Sequence, residues 1–262
     1  MFNDITIGQY FPGNSVIHRL DPRSKLILTL AFIIWVFVLN EIWHYIFPAI
    51  YICTVIMLSG ISVRYYLKGI KPLWPIIVLT LVINIFFTKG GPVLFNIGPL
   101  AVTQAGLNQA VLIALRLVFL IVGASVLTLT TSPVQLTDGI ERLMSPLQTI
   151  NFPVGELAMM MTIALRFIPT LLEETDRIMK AQMARGADFD TGNILDKAKS
   201  MVPLLVPLFI SAFRRADELA LAMEARCYRG GKGRTKFKIL KFSRLDYGAV
   251  IFTAAIIIIS VV

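Results

Sequence analysis

Charge is what this chain has least of. Only 16% of its 262 residues are charged, against 56% hydrophobic, and the mean hydropathy is +0.74. A soluble domain carries roughly a quarter charged residues, so the deficit points to a membrane protein. Acidic residues are the scarcer sign: 16 Asp and Glu face 25 Lys and Arg, a net charge of +9. In a membrane chain a basic excess records topology before it records a nucleic-acid partner, and no nucleic acid is expected. Two cysteines exclude a disulfide framework. Cys53 sits in an apolar run and Cys227 in a basic polar region, so the two are not expected to pair. The two histidines, His18 and His44, come with no HExxH, and the chain has no CxxC. That leaves no metal or cofactor site to propose. The opening "MFNDITIGQYFPGNSVIHRL" has no basic region followed by an apolar core and does not read as a cleavable signal.

What is present is apolar length. Five segments approach the ~20 apolar residues that span a bilayer core: 24–40, 42–61, 72–89, 106–131 and 246–262. The first is short, and Lys25 is expected to extend its head group to the interface. Arg64, Lys68 and Lys71 lie between the second and third segments, and 17 of the 25 Lys and Arg fall between 132 and 245. The positive-inside rule then places the N-terminus and the 132–245 region in the cytoplasm, with the C-terminus outside. Two further apolar stretches, 156–172 and 201–213, compete for span status, and both are assigned to the cytoplasmic side. In the first, Leu157, Met160, Met161, Ala164, Leu165, Ile168 and Leu172 recur at helical spacing, a stripe expected to bury against its neighbours. The expected architecture is an all-α polytopic membrane bundle of about five spans with a cytoplasmic unit of two long helices. Its segments are 1–23 (N-terminal, interfacial), 24–131 (spans one to four), 132–245 (cytoplasmic unit) and 246–262 (last span).

Local signals punctuate these helices. Asp21 precedes Pro22, and Ser132 precedes Pro133, as N-cap and first helical residue. Pro146 closes a short amphipathic helix, Gly186 and Gly230 read as helix stops, and Pro169, Pro203 and Pro207 are expected to bend the long helices. The spans hold no Asp, Glu or His in their interiors, which argues against an ion-coupled secondary transporter. No nucleophile–base pair for an intramembrane hydrolase can be assembled. The one charge at depth is Arg116, in "ALRLVFL". An intramembrane charge requires a partner, either backbone groups between helices or another subunit. The basic stretch 229–244 reads more readily as a topology determinant than as a lipid site.

One internal echo stands out. "AQMARGADF" (181–189) is followed forty-one residues on by "AMEARCYRG" (222–230), with Asp176 and Asp217 matched upstream. An Arg in the last turn of a helix has an ordinary explanation in the helix dipole. Two copies, each with two alanines three apart beside the Arg, suggest a bulk-free face that a second backbone approaches while Arg supplies a planar, multidentate donor. The pair reads as two docking tips for a dimeric partner: Ala184, Arg185 and Gly186, and Ala225, Arg226 and Cys227.

At these residues the chain resembles the transmembrane T component of energy-coupling factor transporters, the vitamin-uptake branch of the ABC transporters. The likeness is carried by "HRLDPRSKL" (18–26), "TLTTSPVQLTDGIERLMSPL" (128–147), "ELAMMMTIALRFIPTLLEE" (156–174) and the two Ala-Arg tips. In that family both tips typically read Ala-Arg-Gly, and the second here departs at Cys227. The resemblance implies a non-catalytic coupling subunit. Its two coupling helices would seat one tip in each of two ATPase subunits, and the membrane unit would pass their movement to a separate substrate-binding S component that topples in the bilayer. The alternative is a stand-alone membrane channel or carrier.

Overall fold

The computed structural model describes residues 10–88, 90, 92–97, 100–187, 189, 194–228, 230 and 240–261. These described residues are all-α apart from one hairpin. The described helices are α1 (Val16–Arg19), α2 (Pro22–Val38), α3 (Ile46–Ser59, entered through a 3-10 turn at Ile42–Tyr45), α4 (Val63–Ile70) and α5 (Trp74–Phe87). After the hairpin come α6 (Gln104–Thr130), α7 (Pro133–Met144), α8 (Val154–Ala184), α9 (Ile194–Ala225) and α10 (Arg244–Val261). Among the described residues, four helical stretches are long and apolar enough to cross a membrane: Ile42–Ser59, Val63–Phe87, Gln104–Thr130 and Val154–Ala184. The chain is a polytopic membrane protein.

Several helix ends form where the sequence places them. The Asp21 side chain accepts from the Arg23 amide at 2.9 Å, with Pro22 opening α2. Ser132 and Gln135 close a reciprocal capping box at the start of α7, each backbone amide bonded to the other's side chain at 3.3 Å. Other features depart from expectation. Residues 63–70 form an amphipathic helix that runs almost directly into α5, where the sequence suggested only a basic connection. Within the connection 89–106, β1 (Val93–Ile97) pairs antiparallel with β2 (Leu100–Thr103). Thr103 ties this hairpin to its neighbours: its hydroxyl donates to the Thr88 carbonyl at 2.9 Å and accepts from the Gly106 amide at 3.1 Å to cap α6. The first span is 17 residues long as α2, and α8, which the sequence reading kept out of the membrane, meets the length and composition of a span.

Contacts divide the chain into two units. One comprises Gly8–Arg142 and Ile239–Val262, the other Leu143–Lys238. The first has a core in which Phe32, Trp35, Val36, Tyr45, Tyr51 and Tyr66 pack with residues of α6. Phe32 stacks on Tyr51 at 5.3 Å, and Trp35 meets both edge-on. Polar groups inside it are satisfied by one another. Trp35 Nε1 donates to Ser260 Oγ at 2.7 Å, the Ser59 and Tyr66 hydroxyls share a bond of 2.9 Å, and Tyr45 donates to the Val36 carbonyl at 3.1 Å.

The second unit is built differently. Helices α8 and α9, about 46 and 48 Å long at 1.5 Å per residue, pack on each other, and of their described residues only Val154 and Ala158 are buried. The expected burial of the α8 stripe is met only in part: Leu165 and Leu172 are half-buried, whereas Leu157, Met160, Met161 and Ile168 are exposed, and Phe213 on α9 is 68% exposed. Two helices packed on each other cover one face apiece, which leaves the rest of each stripe uncovered within this unit.

Candidate functional site

The two Ala-Arg sites adopt one backbone geometry. Helix α8 ends with Gly186 left-handed at φ 91°. The Gly186 amide bonds to the Met183 carbonyl and the Ala187 amide to the Gln182 carbonyl, both at 3.0 Å. This is a Schellman cap, with Arg185 at the C-cap position. Helix α9 ends in the same way. Cys227 is left-handed at φ 56°, its amide bonds to the Glu224 carbonyl at 2.8 Å, and the Tyr228 amide bonds to the Met223 carbonyl at 3.0 Å. Each pair of the first cap maps onto the second at an offset of 41, so the sequence echo is also a structural one. The Gly-to-Cys departure does not blunt the second helix end. The stop expected at Gly230 is overturned, because α9 has already turned at Cys227. A left-handed cysteine is strained by roughly 1 kcal/mol or more relative to glycine, and it holds where glycine would sit freely.

Both tips stand open. Ala181, Ala184, Arg185 and Gly186 are exposed, as are Ala222, Ala225, Arg226 and Cys227. Neither arginine forms a salt bridge among the described residues. The ion pair that joins the two helices, Arg215 to Glu174 at 3.3 Å, also falls on the 41-residue offset, ten residues before Ala225 and Ala184 respectively. Each helix thus projects about 15 Å beyond matched positions. Two arms of equal length end in two equal caps.

Arg116 finds its partners within its own unit. Its guanidinium donates to the carbonyls of Leu39 at 2.9 Å and Phe37 at 3.2 Å and to the Tyr45 hydroxyl at 3.3 Å. It also lies over the Phe37 ring, 5.2 Å from the centroid. These carbonyls close the C-terminal end of α2, where no following turn satisfies them, so a fixed cation there answers both the orphan acceptors and the helix dipole.

A second cluster went unrecognised in the sequence, although its motif, "LDPRSKL", was in view. The Asp21 amide donates to Asp246 Oδ1 at 2.8 Å, and Asp246 Oδ2 accepts from the Ser243 amide and hydroxyl at 2.7 and 2.8 Å. Asp21 holds Arg23 through both oxygens at 3.0 Å. Arg23 in turn donates to the Leu240 carbonyl at 3.2 Å and lies 4.2 Å over the Phe242 ring. Lys25 does not reach the interface as expected. It is buried, bonding the Thr130 carbonyl at 2.8 Å and the His18 carbonyl at 3.3 Å. On α7, Gly139 lies so close to Pro22 and Leu26 that a methyl group there would stand 3.1 and 3.2 Å from their side chains. Residues 21–26 therefore grip the segment leaving for the second unit, through Thr130 and α7, and the segment returning from it, through Leu240, Phe242 and Asp246. The long-range tie spans 225 residues, a separation at which no local signal pairs an aspartate with a distant amide.

These features define a class: an all-α polytopic membrane protein whose two longest helices end in exposed caps of matching geometry. Comparison with known proteins agrees. Residues 13–237 match the family described as Cobalt transport protein. The chain is 59% identical over 258 residues to the "Energy-coupling factor transporter transmembrane protein EcfT" of Thermosediminibacter oceani, covering 98% of this chain and 97% of the relative. It is 56% identical to the protein of that name from Clostridium kluyveri, over all of this chain and 97% of the relative. The Bacillus subtilis protein of the same name is 48% identical over 96% of this chain and 95% of its own length. The chain belongs to this family of energy-coupling factor transporter transmembrane components.

Proposed function

We propose that this subunit is the mechanical coupler of an ATP-driven importer of vitamins or other micronutrients. The Ala184–Gly186 and Ala225–Cys227 tips each seat in a groove on one of two ATPase subunits, which supply all the catalysis. Closure of the ATPases on ATP moves the two arms. Their movement reaches the membrane helices through α7 and the return segment at 240–243, both held by residues 21–26, and passes to a separate substrate-binding membrane component. Arg116 acts as a fixed cap on α2 and takes no part in docking. The basic residues between 132 and 245 support a cytoplasmic location for the arms and an external C-terminus.

The observation that carries this reading is the duplicated cap: the same hydrogen-bond pattern, the same exposed arginine and the same small residues, at the ends of arms of equal length. A single tip would serve one partner surface, and two equal tips serve a partner with two equal surfaces. Small residues let a second backbone come close, and the guanidinium supplies several donors in a fixed plane for carboxylate or carbonyl groups.

Reconstitution in liposomes tests it. The chain alone is expected to give no uptake, and ATP-driven uptake is expected only with both the ATPases and a substrate-binding component present. Uptake by the purified chain alone would establish a stand-alone carrier or channel and end the coupling account.

A further inference from the structure

The first unit contains a cleft of about 300 Å³ that none of the features above uses. Leu28, Phe32, Ile52, Val55, Val126 and Phe252, from α2, α3, α6 and α10, form its apolar walls. At roughly 30 Å³ per water-sized group, it has room for on the order of ten such groups. Water would find few partners along these walls, so the cleft favours an apolar occupant. It is open rather than sealed: Val16, Leu58, Leu245 and Phe252 all line it and are exposed.

Besides the hydroxyls of Thr29, Tyr51, Thr130 and Thr253, its lining carries two cations. Lys25 and Arg244 both border the cleft, near the starts of α2 and α10. Those helix starts lie side by side, joined by the bond from the Asp21 amide to Asp246. Lys25 is buried, and the described bonds use two of its three N–H donors. Neither cation forms a salt bridge among the described residues. Among the described residues, no carboxylate lines the cleft. An apolar slot with two cations near one end matches one chemistry, a chain of methylenes ending in an anionic head group.

We propose that this cleft holds an anionic phospholipid of the surrounding membrane, one acyl chain lying between α2, α3, α6 and α10 and its phosphate meeting Arg244 and Lys25. A lipid so placed fills the gap between α10 and the rest of the bundle. The proposal rests on the membrane location of the first unit and not on ATPase docking, so either can fail without the other.

Trp35 provides the reporter. It is 3% exposed and lies edge-on to Phe32 and Tyr51, which line the cleft, whereas the two other tryptophans, Trp43 and Trp74, are exposed. A variant carrying Trp43→Phe and Trp74→Phe is reconstituted in phosphatidylcholine vesicles containing a minor fraction of lipid with brominated chains, either phosphatidylglycerol or phosphatidylcholine. Brominated phosphatidylglycerol is expected to quench Trp35 at lower mole fraction, by about fivefold for each cation engaged. Arg244→Gln should shrink that preference. Gly248→Phe should remove the quenching without unfolding the bundle, since Gly248 borders the cleft and a Cβ added there meets no atom within 4 Å. Equal quenching by the two lipids would reduce the cleft to a nonselective groove. Quenching by neither would leave it to a protein helix or to nothing. Quenching that survives Gly248→Phe would place the lipid elsewhere. Each of these three results overturns the proposal.

Discussion

The two units solve the problem of apolar surface in opposite ways. The membrane-helix unit buries aromatic side chains from α2 and α3 against α6, leaving Val36 with no exposed surface at all, and pairs the polar groups of that core, Trp35 with Ser260 and Tyr45 with the Val36 carbonyl. The two-arm unit buries almost nothing of its own and leaves Met160, Met161, Phe209, Ile210 and Phe213 uncovered. Large exposed apolar faces mark surfaces that other molecules cover. The first unit also exposes apolar residues such as Leu30, Met57 and Phe87 around its core, whereas the arms expose theirs with almost no core beneath, leaving those faces for lipid or a partner to cover. The difference also separates the kinds of variant that should harm each. In the first unit, damage should register as lost stability, whereas in the arms it should register as lost assembly.

Asp246→Ala tests the first half of that contrast and should have the largest effect on stability. The carboxylate is 2% exposed and accepts from two backbone amides and one hydroxyl. Its removal should cost at least ~3 kcal/mol, taking two charge-assisted bonds at the low end of their usual worth. Thermal unfolding of the solubilised protein measures this, and Asp246→Asn, which keeps one carbonyl oxygen, should fall between the two. ATPase capture per folded molecule should be unchanged, because both caps remain intact. A variant that melts like the parent would show that residues 21–26 do not grip the returning segment.

A smaller effect sharpens the comparison between the arms themselves. Cys227→Gly should relieve the left-handed strain at the second cap by about 1 kcal/mol, read as slower amide exchange at Cys227 and Tyr228, while docking stays as it was. Gly186→Cys should do the opposite at the first cap. If Cys227→Gly abolished docking instead, the thiol rather than the cap geometry would be the recognised feature.

The parts legible in the sequence were those with a local cause. Asp21 with Pro22, Ser132 with Pro133, and the turn at Gly186 are each settled within a few residues, and an offset comparison found the second cap even though Cys227 replaces the usual glycine. Arg116 was singled out because an intramembrane charge is costly, but its acceptors, the carbonyls of Phe37 and Leu39, are 79 and 77 residues away and carry no side-chain signature. Lys25 was misplaced for a similar reason. Near a helix start a lysine ordinarily reaches water, and only the fold brings the Thr130 carbonyl within its reach. The hairpin at 93–103 escaped because short apolar runs in a membrane chain resemble the ends of spans. The α8 stripe was read correctly as a stripe, but its burial was expected to be fuller than it is, since periodicity identifies an apolar face and not what packs on it.

The most direct test of the docking account replaces both tip arginines at once. Arg185→Ala combined with Arg226→Ala should leave membrane insertion and the stability of the first unit intact, because both residues are exposed at helix ends. Losing one partner of a desolvated interfacial pair typically costs ~2–5 kcal/mol, or roughly 30- to several-thousand-fold in affinity, and either single variant retains the other tip as a tether. At matched membrane expression, co-purification of the ATPase subunits should therefore fall modestly in each single variant and nearly vanish in the double. A double variant that captures the ATPases as the parent does would return both arginines to ordinary helix-end charges and contradict the account.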